Sequence, residues 1–192
     1  MEIKGKIIVK HTNGTTVAQK GKLILPDANN IRSIEGSGKI NFKNIKVDTF
    51  SYKGKIYCNS IVAKKGVSMY GAITAKKIEA GPLCSVVFSN NISVEEIIAS
   101  KVEIAPVEES KRNALPRLLA MFFHVRIEKQ EEIHADFKSI NATEVTLTDC
   151  DADVIVCDKI QLSGKCNIKK LVCSGDVKIV GNDVKIHSQE KK

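Results

Sequence analysis

Four Gly-Lys dipeptides are the first residues of this chain that suggest chemistry. Glycine stands at positions 5, 21, 38 and 54, and lysine follows it each time. A nucleotide-binding phosphate loop needs Gly, four residues and Gly-Lys-Ser/Thr, with a strand before it and a helix after it. Here a branched apolar residue follows each lysine, and the sequence then alternates as a strand does. We therefore expect no nucleotide binding by this route.

The six cysteines lack the spacing of metal ligands. No two of them lie two to four residues apart, and the four histidines are scattered along the chain. Five cysteines fall on inward positions of the repeat described below, where a thiol acts as a small apolar side chain: Cys58, Cys150, Cys157, Cys166 and Cys173. We expect buried thiols, with no metal and no cofactor.

Three closely spaced carboxylates, Asp149, Asp151 and Asp153, are the remaining candidates for acid–base chemistry. They lie between two copies of the repeat, where a corner loop is expected. His134 is the one histidine beside the resumed repeat, and it is a poor candidate for a catalytic base. We therefore expect a protein that is not an enzyme and takes no small-molecule substrate.

The element that positions all these residues is a repeat of 15 to 17 residues. Counted from Ile40, apolar residues stand at offsets 0, 2, 5, 7, 10 and 12, and the copy from Ile56 differs by one added glycine. Residues i and i+2 of a strand share a face, so each copy describes three short strands with inward pairs. Further copies begin at Ile7, Leu23, Ile73, Ile92, Ala135, Cys150 and Cys166. The spacing predicts an all-β chain, a three-sided parallel β-helix of nine to ten coils.

The repeat divides the chain into three parts. Residues 1–104 hold six predicted coils, residues 105–134 interrupt the pattern, and residues 135–192 resume it. We expect one continuous domain, because a single coil cannot bury its inner rows without its neighbours. No apolar run is long enough to cross a membrane, and Met1–Lys4 lacks a signal peptide's apolar region. The expected location is the cytoplasm.

Two segments of the repeat resemble the bactofilins, the polymer-forming cytoskeletal proteins of bacteria. These are Gly-x-Ile-x-Ala-x-x-Ile-x-Ala at 71–80 and Ile-x-Ala-x-x-Val-x-Ile at 97–104. The second half follows the layout of the two-part bactofilin-like proteins of Gram-positive bacteria. The resemblance implies a right-handed β-helix that assembles with itself, without nucleotide, into filaments at the inner membrane surface that serve cell shape or motility.

The positive charge lies in the first half of the chain. Residues 1–107 hold 16 Lys and Arg against 8 Asp and Glu, and residues 108–192 hold 14 of each. Stacked coils would place four lysines in a row at about 4.8 Å intervals: Lys6, Lys22, Lys39 and Lys55. This row is either a stripe that binds an anionic surface or a solvated corner. Nucleic acid is not expected, because few aromatic residues interleave with the lysines.

The interrupting segment has two interpretations. Its apolar and basic residues suit a short peripheral membrane anchor, or else a helix or loop packed on the flank of the rod. The residues that carry either reading are Arg117, Leu118, Leu119, Met121, Phe122 and Phe123.

The ends of the predicted rod suggest self-association. A solenoid without caps exposes unpaired strands and inner apolar residues at both ends. The candidate contacts are Ile7, Ile8 and Val9 at the first end and Ile179, Val184 and Ile186 at the last. The leading hypothesis is an end-to-end homopolymer. The alternative is a non-polymerising β-helical module that binds an anionic surface or a protein partner.

Overall fold

The computed structural model describes residues 2–11, 16–20, 31–107 and 133–192. Within these ranges the chain is all β, and its eleven strands belong to a single hydrogen-bonded sheet. The strands are β1 (Glu2–His11), β2 (Thr16–Lys20), β3 (Ile31–Ala80), β4 (Leu83–Phe88), β5 (Ile92–Pro106), β6 (Ala135–Thr148), β7 (Asp151–Cys157), β8 (Lys159–Ser163), β9 (Cys166–Cys173), β10 (Val177–Val180) and β11 (Val184–Glu190).

From β3 onward the sheet is coiled into a parallel β-solenoid of about six turns. Each strand pairs with the one a turn later. For example, Ile78 of β3 pairs with Ile97 of β5, and Ile97 pairs with Ile140 of β6. The 50 residues of β3 are far longer than an ordinary strand, because the chain keeps its ladder hydrogen bonds around the corners. The predicted fold class is confirmed, with about six turns instead of nine to ten.

The core is made of inward columns that run through the turns. In β6 every second residue is buried, with one extra step at each corner, which gives three inward pairs per turn. One column is fully buried in five successive turns: Ile78, Ile97, Ile140, Ile155 and Leu171. Each such side chain contributes roughly 1.5–3 kcal/mol of hydrophobic stabilisation. Every turn depends on the next for this burial.

The first predicted coil does not exist as a coil. Strand β1 runs antiparallel to the beginning of β3, with Ile7 opposite Gly36 and Val9 opposite Ile34, and β2 pairs antiparallel with β1. The prediction that Ile7 opens a parallel turn is therefore wrong. The physical reason is that apolar alternation has the same period in both strand directions, so it fits either pairing. The second predicted coil, from Leu23, lies largely outside the described residues.

The stacking continues across the interrupting segment. Strand β6 pairs in register with β5 over its length, from Ile92 opposite Ala135 to Ile104 opposite Leu147. On one side of the segment the Val107 N–H donates to the Phe88 carbonyl, and on the other side the His134 carbonyl accepts the Ile92 N–H. The turns on either side of the segment therefore belong to one solenoid.

Candidate functional site

The C-terminal end of the solenoid is open in the described residues. Strand β10 pairs only with β8 and β11 only with β9, so the outer edge of each strand has no partner there. Ile179 and Val180 are 49% and 46% exposed, and Val184 and Ile186 are partly buried. Equivalent residues one turn earlier are covered: Leu162, which pairs with Ile179, is fully buried. An apolar, unpaired rung is a surface that another strand could extend.

The N-terminal end differs from this. Ile7 is 1% exposed and Val9 is fully buried, because β1 closes over the beginning of β3. Ile8, between them, is only partly buried. The prediction that these residues are exposed at the first end is therefore wrong for Ile7 and Val9. The two ends are different surfaces: the first ends in the antiparallel strands β1 and β2, and the last ends in parallel strands with exposed apolar residues.

Two lysines of the predicted row have side chains that the structure describes. Gly38 and Gly54 lie on successive turns, so Lys39 and Lys55 are neighbours on the exposed surface. The next turn carries Ala72 at the equivalent place. Lys22 and the side chain of Lys6 lie outside the described part. Both Gly-Lys pairs stand within the uninterrupted strand β3 with no helix after them, which is not the geometry of a phosphate loop.

Two aromatic rings hold lysines on this surface. The Lys39 ammonium lies 5.3 Å from the centroid of the Tyr57 ring, and the Lys53 ammonium lies 4.8 Å from that of Tyr70. Both distances are within the range of a cation–π contact. Lys53 and the two tyrosines were not expected from the sequence. The signal that could have found them is the turn spacing, which places residue 53 beside 70.

The acidic residues of the second half act structurally. Asp149 lies at a corner with a positive φ of 54°, and its Oδ1 accepts the Lys165 N–H at 2.8 Å. Asp151 and Asp153 lie on β7, and Asp153 pairs with Lys169 of the next turn at 2.8 Å. Opposite charges on neighbouring strands stabilise the sheet. Asp149 is a corner residue, as predicted, but the prediction of a corner loop is wrong for Asp151 and Asp153, which lie on a strand.

The described cysteines are free thiols, and five of them are buried. Cys157 pairs with Cys173 in the ladder, and Cys150 precedes a strand that stacks on the one beginning at Cys166. Cys58 is only partly buried, and Cys84, which the sequence pattern did not assign, is fully buried. Within the described ranges no group of three or more His, Cys, Asp or Glu is arranged to hold a metal ion.

Burial of these thiols makes stability depend on alkaline pH. Burial raises the pKa of the Cys84 thiol from 9.0 to about 12. The folded protein therefore keeps a proton that the unfolded chain loses above pH 9, so stability is full below pH 9 and falls towards pH 12. The expected slope is about 1.4 kcal/mol per pH unit for this thiol.

Cys84→Ala isolates that contribution. Between pH 9 and 11 its free energy of unfolding, measured by urea denaturation, should fall less steeply than that of the unchanged protein by about 1.4 kcal/mol per pH unit. Other thiols whose pKa is raised by burial, such as the partly buried Cys58, remain in both proteins and cancel in the comparison. Equal slopes would show that Cys84 does not keep its proton in the folded state.

The segment with the candidate membrane residues Arg117, Leu118, Leu119, Met121, Phe122 and Phe123 lies outside the described residues. The two readings of that segment stay as predictions. In the part of the chain that is described, no helix is long and apolar enough to span a membrane.

Comparison of the chain with protein-family models, curated proteins and solved structures gives no match. The resemblance to bactofilins therefore stays a prediction, carried by the segments at 71–80 and 97–104. The structure is a β-solenoid with antiparallel strands at its first end, an exposed apolar rung at its last end and a lysine-rich flank.

Proposed function

We propose that this chain is a structural protein that assembles end to end with copies of itself, without nucleotide, into filaments. The observation that carries this proposal is the open C-terminal rung. Ile179 and Val180 are about half exposed there, and β10 and β11 present edges that pair with nothing in the described residues. A solenoid normally needs a cap with a polar outer face at each end to remain separate.

A second copy would pair with the strand edges at this end and cover its apolar residues, as each turn does for the turn before it. The outer edge of the second copy's β2, which also has no partner in the described residues, would continue the hydrogen-bonded ladder at about 4.8 Å, and that copy would cover Ile179 and Val180. Val184 and Ile186, which are partly buried, would become inner residues of a continuous rod. The contact would require no cofactor, because backbone groups and aliphatic side chains supply it.

The bactofilin resemblance extends the proposal to its cellular setting. In that setting the filaments are cytoplasmic, lie at the inner membrane surface and serve cell shape or motility. Support for the membrane surface comes from the first turns: residues 31–65 hold eight Lys and Arg against two Asp and Glu. Such a surface is attracted to anionic lipid headgroups.

The test is the assembly state of the purified chain. Sedimentation velocity over a range of concentrations, without nucleotide, should show species larger than the monomer, and negative-stain electron microscopy should show filaments. A chain that stays monomeric at every concentration would contradict the proposal. If that monomer bound anionic vesicles in low salt and released them in high salt, the alternative of a non-polymerising binding module would be favoured.

A further inference from the structure

Three successive turns have glycine at the same corner, so this corner carries no side chains. Gly38, Gly54 and Gly71, called here the glycine corner, have φ angles of 112°, 133° and 130°. A Cβ on Gly54 would lie 2.1 Å from the Gly38 carbonyl oxygen, and one on Gly71 would lie 2.2 Å from that of Gly54. Only glycine fits, so the backbone of this corner is bare.

Side chains on both sides turn the bare corner into a cleft. Lys53 and Lys55 flank Gly54, and Tyr70 and Ala72 flank Gly71 one turn later. Ser89 and Asn90, from the loop between β4 and β5, complete the lining. The cleft has a volume of about 180 Å³. It is independent of the two ends of the rod and therefore of the proposed end-to-end assembly.

The polar groups that line the cleft are suited to an anion. The lining residues carry two ammonium groups, the hydroxyls of Ser89 and Tyr70 and one carboxamide, and none of them is Asp or Glu. Tyr70 fixes the Lys53 ammonium near its ring, at 4.8 Å from the centroid. The Ser89 hydroxyl donates to Asn90 Oδ1 at 3.3 Å, so the Asn90 amide nitrogen keeps its protons for another acceptor.

We propose that this glycine-corner cleft binds a phosphate group. Two lysines balance the charge of a phosphate dianion, and charge-assisted hydrogen bonds from ammonium groups to phosphate oxygens are stronger than neutral ones. The Asn90 amide donates to a third oxygen, and the absence of Cβ atoms on Gly54 and Gly71 lets the anion approach the backbone. The same chemistry suits free phosphate, a soluble phosphomonoester and a phosphomonoester lipid headgroup.

Equilibrium dialysis with radiolabelled inorganic phosphate tests the cleft, whatever the assembly state of the chain. Saturable binding is expected for the unchanged protein. Lys53→Gln with Lys55→Gln should weaken it at least about tenfold, because hydrogen bonds to charged groups are lost. Lys64→Gln with Lys65→Gln is the matched control: both lysines are exposed on a different corner, and the charge change is equal. Its affinity should stay within about twofold, since diffuse charge is screened.

A second variant keeps both lysines. Ala72→Asp places a carboxylate in the cleft at a partly exposed position and should also weaken phosphate binding about tenfold or more. Competition separates the sources of phosphate: vesicles with phosphatidic acid that displace the labelled phosphate indicate a lipid headgroup, and displacement by phosphoserine alone indicates a soluble ester.

Three results would overturn the proposal: no saturable phosphate binding, an equal loss in the two lysine pairs, or unchanged binding in Ala72→Asp. Sedimentation of the variants keeps this test distinct from that of assembly, because a change in the cleft should leave the end-to-end contact intact.

Discussion

Replacing Gly54 by alanine is expected to lower the free energy of unfolding by at least about 3 kcal/mol. Two effects combine. A residue that has a Cβ is strained at a φ angle of 133°. In addition, the new Cβ would lie 2.1 Å from the Gly38 carbonyl oxygen. That oxygen belongs to the backbone of a stacked turn and cannot move without shifting the turn. Urea denaturation followed by circular dichroism measures the loss.

Gly181→Ala provides the matched control. Its φ of 107° is also positive, but no atom lies within 4 Å of the position where its Cβ would stand. This variant should therefore show backbone strain alone, about 1 kcal/mol. If the two substitutions lowered stability equally, the close stacking of the glycine corner would play no part in stability.

Two carboxylates at the open end are expected to abolish assembly. Ile179→Asp with Val180→Asp replaces the two exposed apolar residues of the last rung by charges, which any covering copy would have to bury. Full burial of such a side chain is worth roughly 1.5–3 kcal/mol, and about half of that remains for each of these half-exposed residues. Because two buried carboxylates add a desolvation cost, the dissociation constant should rise at least about 100-fold. Val184→Asp, at the same end, should act in the same direction. Sedimentation velocity measures the shift.

Leu83→Asp is the control for this experiment. Leu83 is 36% exposed, but it lies on the flank of the solenoid, at the start of β4, and not on the last rung. It should assemble as the unchanged protein does. Because Ile179 and Val180 are themselves exposed, their replacement should leave the circular dichroism spectrum unchanged. Assembly that survives the end variant but not Leu83→Asp would indicate side-by-side contacts instead.

Much of the solenoid could be predicted from the sequence because its rule is local. An apolar residue at every second position, with one extra step at each corner, is visible as offsets along the chain, and the column from Ile78 to Leu171 follows from it. The direction of the first strand could not be obtained this way, since alternation is the same in parallel and antiparallel pairs. A better signal was Asn13-Gly14 between β1 and β2, because this dipeptide favours hairpins.

The candidate sites were harder to predict because they depend on neighbours one or two turns away. The glycine-corner cleft joins Lys53 and Lys55 to Tyr70 of the next turn and to Asn90 of the loop after it. In the sequence, that loop is visible only as a longer distance between the first residues of two copies, Ile73 and Ile92. The burial of Ile7 likewise requires knowing which strand lies beside it. The periodicity predicts which residues form the buried columns, but the exposed sites depend on how the turns stack.

The corner between Val107 and Ile133 has a consequence for how the sequence of such a chain can change. One turn earlier, Ser89–Asn91 cross the same corner in three residues, from Phe88 to Ile92. The later crossing starts at Val107, bonded to Phe88, and ends at His134, bonded to Ile92. Phe88 pairs with Pro106 and Ile92 with Ala135, so the same span holds three residues in one turn and 28 in the next. Loop-closure entropy grows slowly with length, so both lengths are compatible with the same stacking. Segments of different length can therefore be inserted at this corner while the stacking of the turns is retained.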